Sequence, residues 1–270
     1  MGITERIRAS FTARVVIPGK TKHYRLTADG RKIAAMWNIH TGKRCFLIGN
    51  GPSLTARDLT LLHERGEITF GFNRIYHIFP ETPWRPDYYL SQDEKMLAGS
   101  ADAVAAMNLP VKLIPAQALW YHGIEISGVT YFNILPQPGE RAEDYGFSAD
   151  PAAVVYNSTT CLYSAAQFAV WMGFSEIILL GVDHRFRVSR TNNGEIYVDP
   201  TVRDYFTEKY NPDADKLDVP NLEKSTTAFE AMKKACDARG IRVLNATRGG
   251  ALEVFPRVEF DALIGGECGG

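Results

Sequence analysis

Cysteine is scarce and scattered. Among 270 residues only Cys45, Cys161, Cys236 and Cys268 are cysteine, and no two form a C-x-x-C pair. Such spacing supplies neither a zinc cage nor the framework of a disulfide-rich secreted domain, so a reducing cytoplasm is the simplest setting. Long apolar runs are missing too: nothing approaches the roughly 20 residues of a spanning helix, and the N-terminus lacks the apolar core of a signal peptide. A soluble, unsecreted protein is expected. Net charge is only -1. Neither a Walker A loop nor a G-x-G-x-x-G fingerprint occurs, and there is no internal repeat or low-complexity tract. With no recognition motif and an acidic body, nucleic acid is not the expected partner.

What charge there is lies unevenly. Residues 1 to 44 hold ten Lys/Arg against two acidic residues, Glu5 and Asp29, and the remainder is correspondingly acidic. The start of this basic arm, taken as 1–43, interleaves Ile3, Ile7, Phe11, Val15 and Val16 with Arg6, Arg8 and Arg14. That mixture suits peripheral contact with acidic lipid at the inner membrane surface, and it suits a solvated arm or an oligomer contact equally well.

At 45% hydrophobic and 11% aromatic, the chain can bury the core of one large domain, taken as 44–264 with 265–270 as a flexible terminus. Short β-rich runs alternate with helical segments. Strands are expected at Cys45–Ile48, Ile68–Phe72, Tyr88–Ser91, Val111–Ile114, Tyr131–Leu135, Ile177–Leu180 and Ile241–Asn245; helices at Ala56–Glu64, Glu94–Met107, Thr160–Met172 and Leu222–Arg239. The alternation predicts an α/β, Rossmann-like fold with a mainly parallel sheet flanked by helices. Thr160–Met172 is apolar around nearly its whole circumference and should be buried, with Gly173 as its stop; Gly240 plays that part after the last long helix. Between the strand ending at Leu180 and the helix starting near Leu222 the pattern loses its period. A charged, Tyr-rich and Pro-containing stretch of this length predicts an inserted lid over 186–220.

The first strand ends in Gly49-Asn50-Gly51-Pro52-Ser53, and a helix begins at once. Glycines let a backbone approach closely, Thr55 and Asp58 have capping-box spacing, and a helix N-terminus favours an anion, so a phosphate-bearing ligand is expected there. A tight turn that only packs a helix on the sheet would read similarly. Further polar clusters stand at strand ends: Phe72-Asn73-Arg74, Ser91-Gln92-Asp93, Asn157-Ser158-Thr159-Thr160 and Gly181-Val182-Asp183-His184. Four clusters on one edge exceed what capping needs.

The ordered set GNGPSL, GFNRIY, a Ser/Thr-rich helix start and GVD resembles that of bacterial sialyltransferases that use CMP-sialic acid. It is also similar to a wider bacterial and archaeal family that includes flagellin-glycosylating motility accessory factors and 6-hydroxymethylpterin diphosphokinase-like proteins. The C-terminal NATRGGALEVFPRVEFDAL looks more like the latter group, and the resemblance spans roughly residues 40 to 263. It implies that Gly49, Asn50, Gly51 and Ser53 hold the nucleotide, with Asn73 and the hydroxyls of Ser158, Thr159 and Thr160 contacting the donor. Gln92 joins this set from its strand end, and Asp183 occupies the matching G-[VI]-D.

Departures from that pattern matter. Where the sialyltransferases carry a general-base His ahead of the last long helix, this chain reads Asp218-Val219-Pro220-Asn221, and their lid tyrosines have only loose counterparts in Tyr197, Tyr205 and Tyr210. His184 is the candidate replacement, since an imidazole titrates near neutrality and Asp183 beside it would orient the ring; a His that merely bonds the lid is the bland reading. Asp93 is the next candidate base. His63, His77 and His122 read as surface or packing residues. Asp93, Asp183 and His184 could gather around Mg²⁺, although no metal is demanded. Asp213-Ala214-Asp215 imitates a D-x-D motif but reads as solvated loop. Two reactions remain: transfer of a sugar from a nucleotide donor, CMP-linked and sialic-acid-like, to a glycan or glycoprotein in surface glycan synthesis, with no required cofactor; or an ATP- and Mg²⁺-dependent diphosphokinase acting on a pterin alcohol. A binding module without catalysis ranks third.

Overall fold

The computed structural model describes residues 23–212 and 217–265. Residues 1–22, the D-x-D stretch at Asp213–Asp215 and the tail 266–270 lie wholly or mainly outside them. The strands are β1 (Arg44–Ile48), β2 (Ile68–Phe72), β3 (Tyr88–Leu90), β4 (Val111–Pro115), β5 (Thr130–Phe132), β6 (Ile134–Leu135), β7 (Val155–Tyr156), β8 (Glu176–Leu180), β9 (Val188–Arg190), β10 (Ile196–Val198) and β11 (Arg242–Asn245). The helices are α1 (Ala28–Ala34), α2 (Ala56–Glu64), α3 (Glu94–Ala98), α4 (Ala101–Ala106), α5 (Ala116–His122), α6 (Cys161–Trp171), α7 (Leu222–Asp237) and α8 (Phe260–Gly265).

Seven strands form one parallel sheet in the order β11-β8-β1-β2-β3-β4-β5. The central strands are buried on both faces, and accordingly β1 and β8 read as continuous apolar runs rather than alternating ones. On one face Cys45, Leu47, Phe70, Ile177 and Leu179 pack with α6, α7 and Ile33 of α1; on the other Phe46, Ile48, Ile178 and Leu180 pack with α2, α8 and Leu97 of α3. The result is the three-layer α/β architecture expected from the alternation of elements.

Local signals explain the ends of these helices. Thr55 Oγ1 accepts from the Asp58 amide at 3.2 Å and the Asp58 carboxylate accepts from the Thr55 amide at 3.2 Å, completing the capping box of α2. Gly173 and Gly240 take left-handed backbone after α6 and α7. The single helix expected over Glu94–Met107 is two, because Gly99-Ser100 breaks it and the Ser100 hydroxyl bonds the Met96 carbonyl at 2.6 Å. Lys112 Nζ, from β4, then takes the carbonyls of Val104, Ala105 and Met107 where α4 ends. The strand expected over Tyr131–Leu135 is likewise two. Buried Asn133 separates them, bonding Ala153 and Gln117, so that β5 stays in the main sheet and β6 pairs with β7.

Residues 23–43 are folded onto the domain rather than standing off as an arm. Tyr24 donates to the Tyr131 carbonyl of β5 at 2.7 Å, and Trp171 Nε1 to the Ile33 carbonyl of α1 at 2.9 Å. The stretch between β8 and α7 carries the antiparallel ribbon β9–β10 and a 3-10 turn at Glu208–Tyr210. Among the described residues, no helix is long and apolar enough to cross a membrane.

Candidate functional site

Chain direction across the sheet reverses between β1 and β8: from β1 the chain steps outward through β2 to β5, and then returns to place β8 and β11 on the opposite side. A parallel sheet opens a crevice where the connections leave in opposite directions beyond the carboxyl ends, so the loops after β1 and β8 flank the expected ligand position. These loops are Gly49–Ser53 and Gly181–His184.

The two loops are joined directly. Gly49 N donates to the Leu180 carbonyl at 2.7 Å, Gly51 N to that of Gly181 at 2.9 Å, and Ser53 Oγ to Asp183 Oδ2 at 2.7 Å. A Cβ on Gly49 would stand 2.3 Å from the Gly181 oxygen, and one on Gly51 would stand 1.9 Å from Asp183 Oδ2. What the glycines admit is thus the neighbouring loop, where the sequence alone pointed to a ligand. Burial pushes the Asp183 carboxyl pKa up, against the Ser53 hydrogen bonds that favour its charged form.

From there a line of polar side chains follows the carboxyl edge. Asn50 Nδ2 donates to the Phe72 carbonyl at the end of β2. Asn73, next in sequence and in left-handed backbone at φ 52°, accepts on its side-chain oxygen from Ser91 Oγ at 2.9 Å and from the Cys161 thiol at 3.5 Å. Gln92 spans to the start of α6, donating to the Ser158 carbonyl at 2.8 Å and accepting from Ser164 Oγ at 2.7 Å. Thr159 meets Ser225 of α7, and Thr160 caps α6. Gly49, Asn50, Gly51, Ser53, Asn73, Gln92, Ser158, Thr159 and Thr160 therefore lie along one edge. Two atoms on it, Asn50 Oδ1 and Ser158 Oγ, are buried with no hydrogen-bond partner. Buried polar atoms are nearly always paired, and an unpaired one costs about 1–3 kcal/mol, so a polar partner, water or ligand, is expected at these two as at His40 Nδ1 and Asp150 Oδ1 elsewhere among the described residues.

The stretch between β8 and α7 reaches the same edge. Phe206 N donates to the Asn50 carbonyl at 3.1 Å, Arg74 N donates to Tyr210 Oη at 3.3 Å, and Arg74 Nη1 bonds the Tyr210 carbonyl and Asn211 Oδ1. Tyr205 and Tyr210 stack with ring centroids 4.0 Å apart, and burial raises both phenols, Tyr205 to about 12. Tyr197, by contrast, is exposed on β10. A cavity of about 280 Å³ at the switch point is lined by Pro52, Asp183, Arg185, Asp199, Arg203 and Gly250, among others.

Asp93 and His184 stand apart from this line. Asp93 caps α3, its Oδ1 accepting from the amides of Lys95 and Met96 at 2.9 and 3.1 Å. His184 has left-handed backbone at φ 54°, and its ring meets Thr226 of α7 at 2.9 Å and Phe229 edge-on, not Asp183. We assign the proton to Nε2, and the basic lone pair to Nδ1, on the ground that the Thr226 hydroxyl also reaches the Leu222 carbonyl at 2.9 Å and has one proton to give. Burial lowers the pKa of His184, favouring the neutral ring. His184 borders a second, larger cavity of about 680 Å³ with Thr226, Glu230, Lys233, Lys234 and the 251–254 loop. Among the described residues no three His, Cys, Asp or Glu side chains converge as a metal cage, and Asp93, Asp183 and His184 do not gather around one point.

Arg74, Ser91, Cys161 and Ser164 also bond along this edge, Arg74 and Ser91 from within strand-end clusters that the sequence displays. Only the register of α6 could have shown that Cys161 and Ser164 face that edge.

No family profile matches the sequence, and no curated protein matches it. Among solved structures the chain is similar to a MAf glycosyltransferase from Magnetospirillum magneticum AMB-1, at 13% sequence identity and a TM-score of 0.48, over 87% of this chain and 38% of that one. The chain thus spans well under half the length of that protein.

Proposed function

We propose that this protein is a glycosyltransferase that takes a nucleotide-activated sugar, CMP-linked and sialic-acid-like, in surface glycan or glycoprotein synthesis. The observation that carries the reading is the polar edge from Ser53 to Thr160, with Asn50 Oδ1 and Ser158 Oγ buried and unpaired on it. A ribose or base supplies donors for Asn50 Oδ1, and a phosphate accepts from Ser158 Oγ. The resemblance of GNGPSL, GFN and GVD to the CMP-sialic acid enzymes supports cytidine as the base.

In the reaction, the anomeric carbon–oxygen bond to phosphate breaks and the nucleotide leaves with the electron pair. An acceptor oxygen forms the new bond, and its proton passes to a base. His184 is our candidate: neutral, with Nδ1 as the basic nitrogen, at the rim of a cavity large enough for a sugar acceptor. The insertion, with Phe206 on Asn50 and Tyr210 on Arg74, would exclude water from the donor.

A second reading rests on the smaller cavity, where Arg185 and Arg203 stand near Asp183 and Asp199. Those groups also suit a triphosphate with Mg²⁺, as an ATP-dependent diphosphokinase requires. ATP turnover that stops on chelation of Mg²⁺ would select it.

Calorimetric titration of Asn50→Ala and Ser158→Ala against CMP tests the site itself. Each should bind about 2- to 10-fold more weakly than the parent, the yield of one lost hydrogen bond of about 0.5–1.5 kcal/mol; Ser158→Ala should keep its melting temperature, while Asn50→Ala also loses the bond to the Phe72 carbonyl and should melt slightly lower. Unaltered affinity in both variants would remove this edge as the nucleotide site.

A further inference from the structure

At the opposite end of the sheet, large apolar side chains stand in the open. Leu26 is 68% exposed, Trp37 61% and Ile39 48%. They belong to one surface. Trp37 lies 6.1 Å from Trp171, Arg25 covers the Trp171 ring at 5.6 Å, and Arg31 Nη1 bonds the Leu26 carbonyl at 2.6 Å. Beneath it the buried Tyr24 packs edge-on against Trp120 of α5, 5.9 Å away, next in sequence to the exposed Tyr121.

Backbone bonds hold this surface at the amino ends of the strands. Asn38 N donates to the Trp171 carbonyl and His40 N to that of Met172, just before β1 and β8 begin. The polar edge bearing Asn50 and Ser158 lies beyond the carboxyl ends of the same sheet, so the surface and the site face away from each other.

Cations frame the apolar group. Arg31 and Lys43 are exposed there and form no ion pair among the described residues, whereas Lys32 is bridged to Asp29 and Arg25 to Asp150. The rest of the protein is acidic. A negatively charged plane would attract this end and repel the other, fixing one orientation.

We propose that the Leu26–Trp37–Ile39 surface docks the protein on an anionic lipid bilayer. Trp and aliphatic side chains enter the headgroup region while Arg31 and Lys43 meet lipid phosphates and carboxylates, the pairing of apolar and basic signals that peripheral attachment needs. In that pose the polar edge points away from the membrane. The proposal does not depend on the reaction assigned above.

Cosedimentation of the full chain with phosphatidylserine–phosphatidylcholine vesicles is the test, beside pure phosphatidylcholine vesicles and sedimentation velocity without lipid. The parent should pellet with the mixed vesicles, less so at high salt, and stay in solution with phosphatidylcholine alone. Leu26→Ser with Trp37→Ser should weaken that binding about tenfold, the effect of losing two inserted side chains, and Arg31→Glu with Lys43→Glu should do the same. All four substitutions are at exposed positions, so the melting temperature reports whether folding is intact. Equal binding to both vesicle types, no binding at all, or full binding by Leu26→Ser/Trp37→Ser would overturn the proposal. A parent dimer that the same double variant converts to monomer would assign the surface to a second copy instead and overturn it too.

Discussion

Asp183 and His184 are neighbours in the chain and face different partners. The carboxylate meets Ser53 at the switch point, while the imidazole turns to Thr226 on α7. The left-handed backbone of His184 makes that divergence, at a conformation that costs a non-glycine residue energy and recurs at functional positions. As the base, His184 must be neutral, so activity should fall on the acid side as the ring takes a proton. Burial lowers its pKa, and the acid limb therefore lies below the ordinary histidine value of 6.5. His184→Asn should leave donor affinity nearly constant, slow transfer by roughly 10² to 10⁴, and abolish that limb. Rates against pH for both proteins decide it: a variant with full activity or with the same acid limb places the base elsewhere. Sequence alone marked His184 by its place after a strand end. It could not show which way the ring turns, because that depends on one backbone angle and on a helix 42 residues away.

Among the elements, the turn after β1 was the most legible in sequence and the most altered in meaning. Its glycines and its capping box were plain, and α2 starts where Thr55 and Asp58 place it. The need for glycine comes from a loop more than a hundred residues later, since a Cβ at Gly51 would stand 1.9 Å from Asp183 Oδ2. No local pattern carries that contact. Gly51→Ala should consequently force the β1 and β8 loops apart and destabilise the fold by about 1–3 kcal/mol, the range for overpacking a tight site. A denaturant titration of the variant measures this, and a midpoint equal to the parent's would show that the loops yield freely. The split of the helix at Gly99-Ser100 and of the strand at Asn133 escaped a reading by periodicity for a related reason. In both places a single side chain bonds a backbone group outside the repeating pattern. The ribbon β9–β10 had no period to read, because Ile196, Tyr197 and Val198 are all exposed instead of alternating.

Taken whole, the molecule shows why the sheet could be anticipated and the site only in part. Continuous apolar strands between amphipathic or buried helices leave little choice but a parallel sheet with both faces covered, and the switch point follows from the strand order. Asn50, Asn73, Gln92 and Ser158 come from four separate strand-to-helix junctions, so their common edge emerges only once β1, β2, β3 and β7 are ordered side by side or end to end with α6. The central claim is that this edge binds a cytidine nucleotide. Thermal melting of the full chain against CMP, CDP, UDP, GDP and ATP, each with and without Mg²⁺, measures it most directly. A ligand at 100 times its Kd should add about 2.7 kcal/mol of stability. The largest rise is expected with a cytidine nucleotide, independent of Mg²⁺ and reduced to about 1.4–2.3 kcal/mol in Asn50→Ala at the same ligand concentration. A rise confined to ATP with Mg²⁺, or no rise with any of the five, would contradict it.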